Sequence, residues 1–142
     1  MAGKYSRNKG HNFERKICKL IREATGFMVQ RNLVQTQQGG CDVTIDERPF
    51  VSIETKKSCT LKLPQWWRQT VKQATLEQIP ILITQLDRRP IQVYFPICEL
   101  DSSYPVDYSK DGLAILTLEQ LIHKLKGMHP SDSISRRVYL EN

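Results

Sequence analysis

Residues 42 to 56 alternate apolar and polar side chains twice, in Asp42-Val43-Thr44-Ile45-Asp46 and in Phe50-Val51-Ser52-Ile53-Glu54-Thr55-Lys56, with Glu47-Arg48-Pro49 between the two runs. Period-two alternation marks a strand with unlike faces, and two such runs around a short turn describe a β-hairpin. The phase of the alternation sorts the side chains. Val43, Ile45, Val51 and Ile53 fall on one face, whereas Asp42, Glu54 and Lys56 fall on the other. The apolar face needs a cover, so the flanking segments must supply further strands and helices.

Those segments are legible by period. From Asn12 to Thr25, Phe13, Ile17, Leu20, Ile21 and Ala24 recur at helical offsets, bases fill the opposite side, and Gly26 stands as a C-terminal stop. Phe27 to Val34 reads as a strand and 35–40 as a polar, glycine-ended loop. Leu63 to Glu77 is a helix entered at Pro64, Pro80 to Leu86 an apolar strand buried on both faces, and Ile91 to Ile97 another strand. Thr117-Leu118-Glu119-Gln120 has capping-box spacing and opens a helix that turns Leu118, Leu121, Ile122 and Leu125 inward. The predicted order is helix, three strands, helix, two strands, helix. It implies an α/β fold with a central mixed β-sheet flanked by helices. A chain of 142 residues holds one such core. The expected domain is 1–130, followed by a polar, loose tail over 131–142.

Charge is unevenly placed. Residues 1–31 hold eight bases and two acids, 32–54 one base and four acids, 55–76 five bases and no acid, and 77–142 seven bases and nine acids. Two basic blocks around an acidic segment fit a polyanion held about a cation-binding centre. No apolar run reaches the roughly 18–20 residues of a membrane span, and the N-terminus lacks the apolar core of a signal peptide, so a soluble, cytoplasmic protein without a membrane partner is expected. Cys18, Cys41, Cys59 and Cys98 show neither C-x-x-C spacing nor a suitably placed His, which argues for reduced thiols and against structural zinc.

Asp42 with Glu54-x-Lys56 makes chemical sense as a hard-cation site. Carboxylate oxygens suit Mg²⁺, which keeps several waters and completes its shell with substrate phosphate. Lys56 points into the same space and can orient a water or stabilise charge on an attacked phosphate. Glu14, one position after Phe13 on the first helix, faces partly inward and is a further candidate. The plain alternative is a solvated polar face with a weak Glu54/Lys56 charge pair. Against it stand the apolar Phe50-Val51-Ser52-Ile53 run and the Gly39-Gly40 approach, which leaves room for a phosphate backbone beside Asp42.

These residues resemble the PD-(D/E)XK nuclease superfamily and, within it, the Holliday junction resolvases of the archaeal type. The resemblance runs from about Lys9 to Leu86 and rests on Lys9-Gly10, Phe13-Glu14-Arg15, Gly26-Phe27, Gln30-Arg31, Gly39 to Val43 and Ile53 to Ser58. It implies a restriction-endonuclease-like core and an active site of Glu14, Asp42, Glu54 and Lys56, the first three as ligands of Mg²⁺, or of Mn²⁺ in its place. It also implies that Arg31 contacts DNA or adjoins the site and that Gln69 lies near the catalytic lysine. Cys41 stands where the superfamily has its proline, and the loop before Asp42 carries Thr36, Gln37 and Gln38 where such resolvases often have serine.

Lys4, Arg7, Lys9, Arg15, Lys57, Lys62, Arg68 and Lys72 are the candidate phosphate contacts. Of the adjacent Trp66 and Trp67, one is expected in the core and the other at a dimer contact or stacked on a base, because neighbouring helix positions diverge by about 100°. The reading that follows is a Mg²⁺-dependent endodeoxyribonuclease acting on branched DNA, four-way junctions above all, as a homodimer joined through a tryptophan and the Ile91–Ile97 strand. A repair or restriction-type nuclease of the same superfamily, or a non-catalytic DNA-binding module, are the alternatives.

Overall fold

The computed structural model describes residues 2–33 and 40–129. The loop residues Thr36, Gln37 and Gln38, the end of the expected first strand at Val34, Gly39 and the 131–142 tail with Arg136 and Arg137 lie outside the described residues.

In chain order the elements are α1 (Ala2–Thr25), β1 (Val29–Arg31), β2 (Val43–Ile45), β3 (Val51–Ser58), α2 (Leu63–Gln73), β4 (Ile79–Leu86), β5 (Gln92–Pro96), β6 (Leu113–Leu116) and α3 (Leu118–Gly127). Among the described residues the six strands form one mixed sheet in sequential order β1 to β6. Within it β3 and β4 are parallel, in register from Val51↔Ile79 to Ser58↔Leu86, and α2 makes the crossover between them. The other neighbouring pairs are antiparallel.

Two apolar clusters hold the layers. On one face α1 sets Phe13, Ile17 and Ile21, and α3 sets Leu121 and Leu125, against Val43, Ile45, Val51, Ile53, Ile81, Ile83, Val93 and Phe95. On the other face α2 packs Trp66 and Trp67 against Leu82 and Tyr94. The predicted phase therefore holds: the apolar side of the β2–β3 hairpin lies under α1. Burial of the opposite side is the departure, since Ser52 and Glu54 are as buried as the core beside them. From Val51 to Thr55 strand β3 is interior on both faces, so a solvated polar face is excluded at Glu54, while Thr44 and Lys56 are half-buried and Asp46 is exposed.

Gly26 ends α1 in the left-handed region (φ 76°), its N–H reaching Arg22 O at 2.8 Å. The other end of this helix lies ten residues before the expected Asn12. Residues 2–11 are too polar to show a periodicity, but Lys9 in that stretch is tied to Asp87 at 2.7 Å, beyond the end of β4. The Thr117 capping box forms in both directions, with Gln120 N–H donating to Thr117 Oγ1 and Thr117 N–H to Gln120 Oε1. Arg48, at the hairpin turn, donates to Leu125 O and Lys126 O and so caps the far end of α3.

Three further expectations need correction. β6 escapes a sequence reading because Leu113-Ala-Ile-Leu116 lacks alternation and is only partly buried at the sheet edge. Both tryptophans are buried, at 6% and 2% exposure: Trp66 meets the sheet, and Trp67 is roofed by the segment before β6, its Nε1–H donating to Tyr108 O at 2.8 Å. Neither is available to a dimer contact, and β5 is not either, being paired with β4 and β6. The cysteines are free, with Cys18, Cys41 and Cys98 buried and Cys59 exposed. No helix among the described residues is long and apolar enough to cross a membrane.

Candidate active site

Asp42 is fixed before β2 by backbone on both sides. Its N–H donates to Ile53 O at 3.0 Å and its carbonyl accepts from Asn32 N–H at 2.8 Å. The side-chain Oδ2 accepts from the Thr55 N–H at 2.9 Å and from Thr55 Oγ1 at 3.3 Å. The carboxyl is thereby held, almost wholly buried, against β3. The glycine before it explains how the chain gets there. Gly40 sits at φ 101°, and a Cβ on it would meet the Asn32 side chain at 2.9 Å.

Glu54 is the unusual group. It is 1% exposed, and no donor reaches either carboxyl oxygen; only the protonated acid could share its proton, with Asp42. Burial pushes its pKa up to about 8; the charge of the neighbouring Asp42 adds to the rise, while Lys56 opposes it. An ionised Glu54 beside Asp42 is costly without a cation, because Lys56 is a single positive charge facing two acids. An orphaned buried carboxylate, facing a second one whose own donors leave it coordinating capacity, fits a hard divalent cation. Glu14 lies close enough for Asp42 to raise its pKa too, second to burial. Its Oε2 is engaged by Arg31, which donates from Nε at 3.2 Å and from Nη2 at 3.0 Å, and Arg31 Nη2 also lies 3.0 Å from His11 Nδ1. Among the described residues no three His, Cys, Asp or Glu side chains converge into a ready-made metal cage. Asp42 and Glu54 form the pair, and Glu14 stands beside it in the grip of Arg31.

The other candidates distribute as follows. Lys56 is half-buried two residues beyond Glu54 and acts on its charge. Gln69 is half-buried on α2, on the stripe that also carries Trp66 and Gln73. The bond from α2 to the approach of Asp42 is made by Gln73, whose Oε1 accepts from the Gly40 N–H at 2.6 Å. Sequence reading passes over Gln73; only its place one turn after Gln69 could suggest it. Arg7, Arg15, Lys62, Arg68 and Lys72 are exposed. Arg68 and Lys72 line a separate cavity with Trp67 and Tyr108, on a stripe of α2 other than that of Gln73. Lys9 is paired with Asp87, and Lys57 donates to Gln85 Oε1 at 3.2 Å. The Lys4 side chain lies outside the described residues.

A family model described as "Phage putative PDDEXK endonuclease" matches residues 5–117. The chain belongs to that family. The match takes in α1 from Tyr5 onward, all six strands and the cap of α3, so it extends past Leu86, where the sequence resemblance stopped, through β5 and β6. No curated protein matches the chain. Membership supports a nuclease of the PD-(D/E)XK superfamily; it carries the endonuclease part of the reading and not the junction part.

Proposed function

We propose that the protein hydrolyses DNA phosphodiester bonds with Mg²⁺, or Mn²⁺ in its place, and that its substrate is branched DNA, with the four-way junction the first form to test. The observation that carries the hydrolytic reading is the partnerless, buried Glu54 carboxyl against Asp42 on the face shared with Lys56. Asp42 and Glu54 would hold the cation, with Glu14 as a third ligand once Arg31 releases it. When bound, the cation would supply Lewis acidity at the scissile phosphate and lower the pKa of a bound water. Asp42 is positioned by Thr55 so that it need not reorganise to bind. Lys56 places an ammonium where charge develops on the phosphoryl oxygens. Arg31 opposes the rise that burial and Asp42 impose on the Glu14 carboxyl.

Support for branched DNA comes from the resemblance over Lys9 to Leu86, together with a size that leaves little chain for base readout. Paired cuts need two centres related by a two-fold axis, hence a homodimer, joined by a surface other than Trp66, Trp67 and β5. Cleavage of a labelled four-way junction and of linear duplex, with Mg²⁺ and with EDTA, tests the whole. Metal-dependent cutting of both forms at equal rates would keep the nuclease and remove the junction preference. No cutting of any DNA in Mg²⁺ or Mn²⁺ would leave a binding module.

A further inference from the structure

On the α1 side of β3, opposite Glu54 and Lys56, a cavity of about 290 Å³ opens between α1 and the ends of β3 and β4, lined by Phe13, Lys9, Lys16, Lys57, Asn12 and Gln85 among others. The side-chain oxygens of Gln85 and Asn12 that border it are committed, while the exposed Asn8 amide at its rim can turn its NH₂ inward. Gln85 Oε1 accepts from Lys57 at 3.2 Å and its Nε2 donates to Arg89 O at 3.0 Å. Asn12 Oδ1 accepts from Arg15 at 2.9 Å, and the carboxylate nearby, Asp87, is neutralised by Lys9 at 2.7 Å. Lys57 is braced besides by the Phe13 ring, whose centroid lies 6.0 Å from Nζ. A lysine ammonium has three N–H donors, and an amide whose oxygen is taken still has its NH₂. What Lys57, Lys16 and Asn12 can offer this space is therefore N–H donors and positive charge, the complement of an oxyanion.

The location sharpens the identity. Lys56 and Lys57 are consecutive in β3 and project to opposite faces. Both stand near the carboxyl end of the parallel β3–β4 pair, the side on which open α/β sheets take their ligands. A DNA strand crossing that end with one phosphate at the Asp42/Glu54/Lys56 face would bring another to the α1 side. We infer that this cavity is a phosphate subsite, in which Lys16 and Lys57 together hold one phosphate of the DNA strand away from the scissile one. The inference rests on the endonuclease reading and adds to it an anchoring point and the residue Lys16.

Shared ownership of a single phosphate gives the test. DNA affinity of the full chain is measured in EDTA over a range of salt, for the wild type, Lys16→Gln, Lys57→Gln, the double variant, and Lys126→Gln on the exposed side of α3. Each contacted phosphate adds about 0.9 to the slope of log K against log salt. Both single variants are expected to lose about 0.9 of slope and about tenfold in affinity at low salt. The double variant should lose little more than either, because the phosphate is already gone. Lys126→Gln should leave the slope unchanged. An unmoved slope in Lys16→Gln, or a double variant that loses about 1.8, would overturn the inference. Lys16 is exposed, so its variant keeps the test decisive should Lys57→Gln fail to fold. A slope loss seen only with 5′-phosphorylated ends assigns a terminal phosphate, and one seen equally with 5′-hydroxyl ends assigns an internal phosphodiester; either supports the subsite. A wild type that cuts DNA while Lys16→Gln changes nothing sinks this inference alone, whereas one that neither binds nor cuts takes the endonuclease reading with it.

Discussion

Replacing Glu54 by glutamine should stabilise the metal-free protein, and by an amount that depends on pH in a fixed direction. The carboxyl is raised from an ordinary 4.5 to about 8, with burial as the largest cause and Asp42 next. At about 1.36 kcal/mol per pH unit, this places on the order of 5 kcal/mol against the ionised form in the fold. The unfolded chain releases the proton near 4.5 and the folded chain near 8, so between these values the folded state binds more protons and stability falls as pH rises. The full loss is reached above about pH 8, and below about 4.5 there is none. The amide of the Glu54→Gln variant would mimic the protonated acid at every pH. In EDTA the variant should match the wild type within about 3 °C at pH 5 and exceed it by about 10 °C at pH 8.5, given roughly 2–4 °C per kcal/mol for a chain of this size. Mg²⁺ at a hundredfold excess over its Kd should return about 2.7 kcal/mol to the wild type at pH 8.5 and much less to the variant. Residual pH dependence in the variant belongs to Glu14, which is raised by burial and by Asp42. Melting curves of the two proteins that stay parallel from pH 5 to 9 would refute the reasoning, because they would mean that Glu54 is hydrated or paired in the fold.

Asp42→Asn should lower turnover by at least about 10³ while DNA binding in EDTA holds or tightens, since an anion beside the phosphate path has been removed; steady-state cleavage and gel shift measure the two halves. Lys56→Ala should lose turnover likewise and move the Glu54 titration to still higher pH, because Lys56 is the charge that opposes its rise; the pH dependence of melting in EDTA reads the shift. Gln73→Ala should cost about 1 kcal/mol through the lost Gly40 bond and raise the Mg²⁺ concentration needed for half-maximal cleavage, a readout that mere loss of stability leaves in place. Gly112→Ala should destabilise by about 1–3 kcal/mol without touching turnover, because its Cβ would lie 2.7 Å from Asp107 Cγ and 2.9 Å from Asp107 O; thermal melting checks it.

Much of the architecture follows from local periodicity, and where periodicity fails the cause is local as well. The β2–β3 hairpin, the α2 crossover and the doubly buried β4 are legible because each carries a full period of apolar side chains, although α2 stops at Gln73, with Ala74 extended, four residues before the expected Glu77. The first ten residues of α1 carry none, and their anchor, Asp87, is remote in sequence. β6 is four residues at an edge with a partly exposed pattern, which no period distinguishes from loop. The tryptophan pair departs from expectation for a different reason. The 100° between adjacent helix positions is correct, but it excludes double burial only if the helix has one covered side, and the segment at Tyr108 covers a second.

The same distinction explains what can be read of the candidate site. Period two places Asp42, Glu54 and Lys56 on one face, and it does so from sequence alone because strand geometry fixes side-chain direction. It says nothing of what lies over that face. That Glu54 is sealed, so that it becomes a carboxyl without a donor rather than a solvated anion, is a matter of tertiary packing, in which α2 lies against β3 and β4. Likewise the Glu14–Arg31 pair joins residues 17 apart on a helix and an edge strand, and the Gln73–Gly40 bond joins residues 33 apart. Each is a tertiary contact, and each bears on a group that period two already places or on the loop that delivers it. An unpartnered carboxyl buried at this depth is a standing destabilisation, which the pH dependence of Glu54→Gln against the wild type would measure. On the reading proposed above, a cation held with Asp42 and a substrate phosphate are what would relieve it.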